Sequence, residues 1–394
     1  MNIYDDYADE VVGKEILERT IESYYDDEIV SIRSYAFGYC SNLSFVSCPK
    51  VNYIGDNAFV GCSILSSAIF SSSLASLGYD AFANTALSFF DATLLSKTRI
   101  EDGTFLNCSN LISVSLFLVH SSLSTYGTVG QYAFSSCHSL ETLNTNLCPS
   151  YIGGSAFCEC YNVSFSSSFF QNIRYAGEKA FFKCSMLTYG SFSLLSGFSS
   201  YAFQYTGITS VYLEAFTGSL SSSKAYGVGC FAYCSDLSEI SLPNAVAIPH
   251  GMFSNCGKLT SVYLPEVSKL SDYCFAYCSS LTYLSVPKLT QIKFQAIVGC
   301  SKLKYFEFPS TFSMFESGYG YIANDGSGVM SIVFLYDGVV QVSGNYPGRS
   351  VFYPYDNASR YDIYVPDSYV NAYKTISTWS YYSSKIFPIS DLQN

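Results

Sequence analysis

Fifteen cysteines and three histidines are the residues of this 394-residue chain best suited to chemistry. A thiolate is a nucleophile and a zinc ligand, and an imidazole is a base or a ligand. Ten of the cysteines hold one recurring position: Cys40, Cys62, Cys108, Cys137, Cys160, Cys184, Cys234, Cys256, Cys278 and Cys300. Such a column reads as small buried apolar fillers with a weak S–H donor. The odd total argues against a disulfide framework and fits reduced thiols. Cys48 and Cys148 precede Pro49 and Pro149, and Cys230-x-x-x-Cys234 and Cys274-x-x-x-Cys278 lack the spacing of a zinc knuckle. Cys158-Glu159-Cys160 is the one close pair in which a metal or redox role is weighed against plain packing. His120, His138 and His250 lie in unrelated segments, and no H-E-x-x-H, P-loop, G-x-S-x-G or dinucleotide fingerprint appears. Asn324-Asp325-Gly326-Ser327-Gly328 resembles part of a calcium loop but lacks its final acidic ligand, so it reads as a turn. The expectation is no catalytic residue, no metal and no cofactor, with a hydrolytic enzyme assembled from distant segments as the weak alternative.

The recurrence that places the cysteines is the main feature of the chain. Ala36-Phe37-Gly38-Tyr39-Cys40-Ser41-Asn42-Leu43 returns as Ala58-Phe59-Val60-Gly61-Cys62-Ser63-Ile64-Leu65, and its F-x-x-C again at Phe105, Phe134, Phe157, Phe181, Phe231, Phe253 and Phe275. Ile297 replaces Phe in the last copy, and Thr85 and Thr206 replace Cys after Phe82 and Phe203. That makes twelve units at spacings of 22 to 29 residues. The second half of a unit is patterned too, as in Leu259-Thr260-Ser261-Val262-Tyr263-Leu264-Pro265. Its alternation puts Val262 and Leu264 on one face of a short strand, which the proline ends. In Val51-Asn52-Tyr53-Ile54-Gly55-Asp56-Asn57-Ala58-Phe59, Val51 and Ile54 are expected inward, Gly-Asp-Asn turns, and Ala-Phe opens a tight helical turn. A unit of this size cannot bury its own apolar set; stacked neighbours can. The fold expected is an α/β solenoid of about twelve units, with a parallel sheet on its concave face, short helical turns and terminal caps.

The motif A-F-x-x-C-x-x-L-x-x-[VI]-x-[LV]-P resembles the BspA-type leucine-rich repeat, close to its treponemal class. The resemblance covers residues 29–310 and implies a bacterial or phage surface protein that binds matrix, cells or other proteins, without chemistry.

Composition agrees with a packed array. Hydrophobic residues make up 49% and charged residues only 13% of the chain, so disorder is excluded. The net charge of −11 excludes nucleic-acid binding by bulk charge, and no apolar run is long enough to span a membrane. Residues 1–28 alone carry −8, with ten carboxylates against Lys14 and Arg19. This head is expected to be a helical cap at 1–28. It lacks the basic start and apolar core of a signal peptide, which leaves cytoplasmic, cell-surface and virion locations open. Residues 311–394 are expected to cap the other end. There Asp367 is placed as an N-cap, and Tyr369, Val370, Tyr373 and Ile376 share a helix face.

Binding is expected on the solvent side of the strands. The outward positions of L-x-x-V-x-L form two columns. One includes Phe45, Phe89, Phe165, Tyr189, Tyr283 and Tyr305; the other includes Asp91, Ser167, Tyr212, Tyr263 and Glu307. Aromatic rings among Ser and Thr give rigid contact area beside short adaptable polar groups, as in a paratope. Tyr and Thr also simply suit an exposed strand. The candidate ligand-binding residues are Phe89, Asp91, Tyr189, Tyr212, Tyr263, Tyr283, Tyr305 and Glu307, with Tyr212, Tyr263, Tyr283 and Tyr305 the best patch. Two longer units carry extra segments at 121–130 and 218–229, each with a Tyr-Gly, where loops of repeat arrays often bind. The function expected is recognition or adhesion towards a protein or glycan, and the alternative is a bacteriophage receptor-binding or tail component.

Overall fold

The computed structural model describes residues 20–71, 74–95, 99–118, 127–218, 227–315, 322–323, 330–342, 351–353 and 358–393. Two compact units divide the chain, 1–187 and 188–394. Both are built from coils of parallel strand, and each coil is one sequence repeat.

In the first unit the L-x-x-V-x-L segments form outward-facing strands. Ser23–Tyr25, Phe45–Cys48 and Ser67–Phe70 pair in parallel, as do Phe89–Leu95, Ser113–Leu118 and Thr142–Thr145. Val46 lies between Tyr24 and Ala68, so the register steps by one repeat. A second ladder of two-residue strands follows, Ser31–Ile32 with Tyr53–Ile54 and Ser76–Leu77, then Arg99–Ile100 through Tyr175–Ala176. Val51 and Ile54 are buried, as their spacing predicts. Gly55 ends one such strand, and a Cβ there would sit 2.5 Å from the Ser34 backbone nitrogen in the previous coil.

The second unit repeats the plan. Ser210–Tyr212 pairs with Glu239–Ser241, and Ser261–Tyr263 with Tyr283–Ser285. Tyr305–Phe308, Met330–Phe334, Tyr361–Val365 and Ile386–Pro388 form a four-stranded parallel sheet. Leu259, Val262 and Leu264 are buried as the alternation predicts.

The Ala-Phe segments are not helical turns, which corrects the α/β expectation. Every second N–H crosses to the next coil: Tyr35 N to Asp56 O, Phe37 N to Ala58 O and Tyr39 N to Val60 O. The intervening amides of Gly38 and Cys40 fold back on Tyr35 O and Phe37 O. A helix keeps all its bonds along one axis and one sign of φ. Here two residues four apart take left-handed φ, as Tyr35 and Tyr39 do at 61° and 64°. Among the described residues this pair recurs in seven turns of the first unit and five of the second. The described residues contain one α-helix, Val370–Thr375, so the architecture is a parallel-strand β-solenoid with little helix.

The inward Phe rings stack coil on coil. In the first unit Phe37, Phe59, Phe82, Phe105, Phe134, Phe157 and Phe181 lie 5.1–5.8 Å apart and nearly parallel. Phe203, Phe231, Phe253 and Phe275 do the same in the second. One repeat advances by one strand spacing, so one ring per repeat meets the offset-stacked distance.

At the ends, Ser23–Tyr25 is a strand within the stretch expected as a helical head, and residues 1–19 lie outside the described ones. Asp367 does not cap the helix. It begins a 3-10 turn, Asp367–Tyr369, and accepts from Ser390 N at 3.2 Å. Tyr373 of the expected apolar face is buried. The calcium-loop-like Asn324–Gly328, His120, and most of the two longer segments also lie outside the described residues.

Candidate functional site

All fifteen cysteines are free thiols, and only Cys148 and Cys158 are not buried. The repeat cysteines are buried, and those from Cys62 to Cys300 donate to the Phe carbonyl of the preceding coil. Cys62 reaches Phe37 O at 3.0 Å, Cys160 reaches Phe134 O at 2.9 Å, and Cys256 reaches Phe231 O at 3.2 Å. Burial pushes the Cys108 thiol up to about 11 and those of Cys62 and Cys278 up to about 12. A protonated thiol is a poor nucleophile and a poor ligand. Among the described residues no three His, Cys, Asp or Glu side chains converge as a metal site requires. His138 and His250 stand on turns, each 3.8 Å from a carboxylate, of Glu159 and Asp272 respectively.

The solvent side of the strands is the other candidate. In the first unit Phe89 is 61% exposed, and Asp91, two residues on, is exposed beside Ser115. Tyr25, 70% exposed, lies beside Ser47, with its ring 5.2 Å from Phe45. Sequence reasoning missed Tyr25, although Ser23-Tyr24-Tyr25 stands 22 residues before Phe45-Val46-Ser47. Phe165, expected outward, is a correction. Its ring packs on Phe157, Phe169, Phe170 and Phe181. In that repeat Ser167–Phe170 is a 3-10 turn instead of a strand, so the alternation that would aim Phe165 outward is lost, and Ser167 sits on the turn.

In the second unit Tyr212 lies between Ser191 and Ser241, and Tyr263 beside Ser285. Tyr283 lies beside Ser261. Tyr263 and Tyr283 are both more than half exposed, while Tyr189 and Tyr212 are half-buried. Tyr305 donates its hydroxyl to Glu307 Oε2 at 2.7 Å, and burial together with that carboxylate pushes its phenol up. A hydrogen bond to Glu239 likewise raises Tyr212. Tyr283, Tyr305 and Glu307 come together on one cleft of about 250 Å³, shared with Ser285, Pro287 and Pro309. Exposed tyrosines at left-handed turn positions were not foreseen. Tyr35, Tyr39 and Tyr132 stand so in the first unit, and Tyr205, Tyr233 and Tyr277 in the second, where Tyr205 and Tyr233 stack at 4.7 Å.

The family model for the BspA type leucine rich repeat region matches residues 30–127, 120–226 and 219–319. The chain belongs to this family. Among solved structures, a BspA-type chain of this length resembles a leucine-rich repeat protein of Bacteroides ovatus, with a TM-score of 0.58 and 19% identity over 94% of this chain and 84% of that one. It is also similar to a leucine rich cell surface protein of Faecalibacterium prausnitzii (TM-score 0.38, 20% identity, 72% and 78% covered). A leucine-rich repeat protein of Eubacterium ventriosum gives a TM-score of 0.39 at 18% identity over 78% and 84%. The Bacteroides ovatus likeness shows the fold and nothing of the ligand. A comparison with curated protein sequences finds no match. No described helix of this BspA-type chain is long and apolar enough to cross a membrane.

Proposed function

We propose that this BspA-type chain is a non-enzymatic recognition or adhesion protein, displayed outside a cell or on a particle, that binds a protein or glycan through the strand face. The face is taken to be the concave one, as in an array whose strands line its inner curve. The observation that carries this is the exposure of Phe89, Tyr263, Tyr283 and Tyr305 on strands whose neighbouring outward residues are serines and carboxylates. An interface of that kind gains contact area from rings with few rotatable bonds. The inward thiols, held protonated, support binding over chemistry.

The test is a variant with Tyr212, Tyr263, Tyr283 and Tyr305 all changed to Ala, compared with the wild type on immobilised matrix proteins, cultured epithelial cells and a glycan array. Loss of the wild-type signal with an unchanged circular dichroism spectrum is expected. Retained binding by the folded variant assigns recognition to another surface, such as the turn tyrosines. Genes for tail proteins beside this one would place the same face on a virion.

A further inference from the structure

The outward columns of the second unit, from Tyr189 to Glu307, hold two charged residues, and both are carboxylates, Glu239 and Glu307. Some carboxylates of that unit pair with a lysine one repeat away, Glu266 with Lys288 and Asp236 with Lys258. Glu307 differs. Among the described residues it has no cation within ion-pair distance, and its hydrogen bond is the neutral one from Tyr305. It lines the cleft between the Tyr283 and Tyr305 rows, whose other walls are the two tyrosines, the segment Leu284–Pro287, and Pro309.

Two phenol rings, two proline rings and one carboxylate without a counter-charge form a recognisable chemical class. Ring faces attract a cation, and a carboxylate adds a charge-assisted hydrogen bond. A guanidinium suits the cleft better than an ammonium, because it is planar, stacks on rings and is less strongly hydrated. A neutral sugar can donate hydroxyl hydrogen bonds to Glu307 but brings no opposite charge to it. We propose that this cleft receives the guanidinium of an arginine side chain from a protein partner, with Glu307 as its counter-charge and Tyr283 and Tyr305 as its aromatic walls. The proposal rests on strand-face binding and narrows its ligand to a basic protein.

The full chain carrying ¹³C-labelled tyrosine is titrated with N-acetyl-arginine amide, N-acetyl-lysine amide and cellotetraose, with ring signals assigned through Tyr283→Phe and Tyr305→Phe. Arginine amide is expected to move both ring signals, and to do so at lower concentration than lysine amide. Glu307→Gln, which keeps an acceptor for Tyr305, should weaken that response about tenfold, the value of one charge-assisted contact. Glu266→Gln should leave it unchanged. Ring signals that ignore arginine amide, respond equally in Glu307→Gln, or move only with cellotetraose overturn the proposal. If the four-tyrosine variant loses its partner while arginine amide moves neither ring, strand-face binding stands and arginine recognition falls.

Discussion

The thiol of Cys184 donates to the carbonyl oxygen of Phe157 across 3.0 Å, from one repeat to the one before it. That oxygen also accepts Cys160 N at 3.1 Å. The thiol therefore does two jobs: it fills a small buried volume, and it ties consecutive coils beneath the Phe stack. Cys184→Ala removes the sulfur and the bond but leaves the carbonyl one partner. A cost of about 1–2 kcal/mol is expected, read as a lower urea midpoint. No change in midpoint would show that the thiol is a passive filler.

The same burial sets the response to alkali. The Cys62 thiol moves from 9.0 to about 12 on folding and that of Cys108 to about 11. Between those values the folded chain holds protons that the unfolded chain has released, so stability falls as pH rises. The thiol contribution is complete below about 9 and is lost by at most about 1.4 kcal/mol per pH unit for each thiol above it. Thermal unfolding should be flat from neutrality to the unfolded thiol value and drop steeply beyond. A Cys62→Val, Cys108→Val double variant should show a shallower drop, and an identical profile would assign the alkaline loss to other groups.

Gly61 sits at a φ of 71°, and a Cβ there would meet the Tyr39 ring at 2.7 Å. The ring from one coil lies over bare backbone of the next. Gly61→Ala combines left-handed strain with that clash and should cost about 1–3 kcal/mol. Adding Tyr39→Ala should recover the steric part but not the backbone part. Additive losses in the double variant would show that ring and glycine do not interact.

Near the end of the chain, both backbone groups of Val340 are held by aromatic side chains. Val340 N donates to the Tyr373 hydroxyl at 2.8 Å, and Trp379 Nε1 donates to Val340 O at 2.8 Å. Tyr373→Phe keeps the ring and strands a buried N–H, at a cost of about 1–3 kcal/mol. Amide exchange checks it. Val340 should lose protection in the variant, whereas unchanged protection would mean that another acceptor or water takes the bond.

How much of this was legible beforehand differs from residue to residue. The period, the inward Leu259, Val262 and Leu264, and the column of cysteines were readable because each recurs once per coil, and recurrence in sequence becomes adjacency in a solenoid. Thr85 shows the limit. As a substitute for Cys its role was invisible, yet it donates to Phe82 O at 2.9 Å, the carbonyl that also receives the Cys108 thiol. Phe165 and Asp367 were misplaced for a related reason. Local pattern assigned a face or a cap, but a 3-10 turn carried Phe165 inward and Ser390 claimed the carboxylate.

The sequence by itself determined the repeat, its apolar faces and its family, because these depend on residue type at fixed intervals along one chain. The conformation of the turns and the cleft at Glu307 were decided only by tertiary structure. Whether Tyr39 adopts left-handed φ depends on its N–H finding Val60 O in the next coil. Whether Tyr283 and Glu307 share a wall depends on how two neighbouring strands lie against each other. Both are relations between residues more than 20 positions apart, where partners in the fold, not intervals along the chain, set hydrogen bonds and side-chain direction.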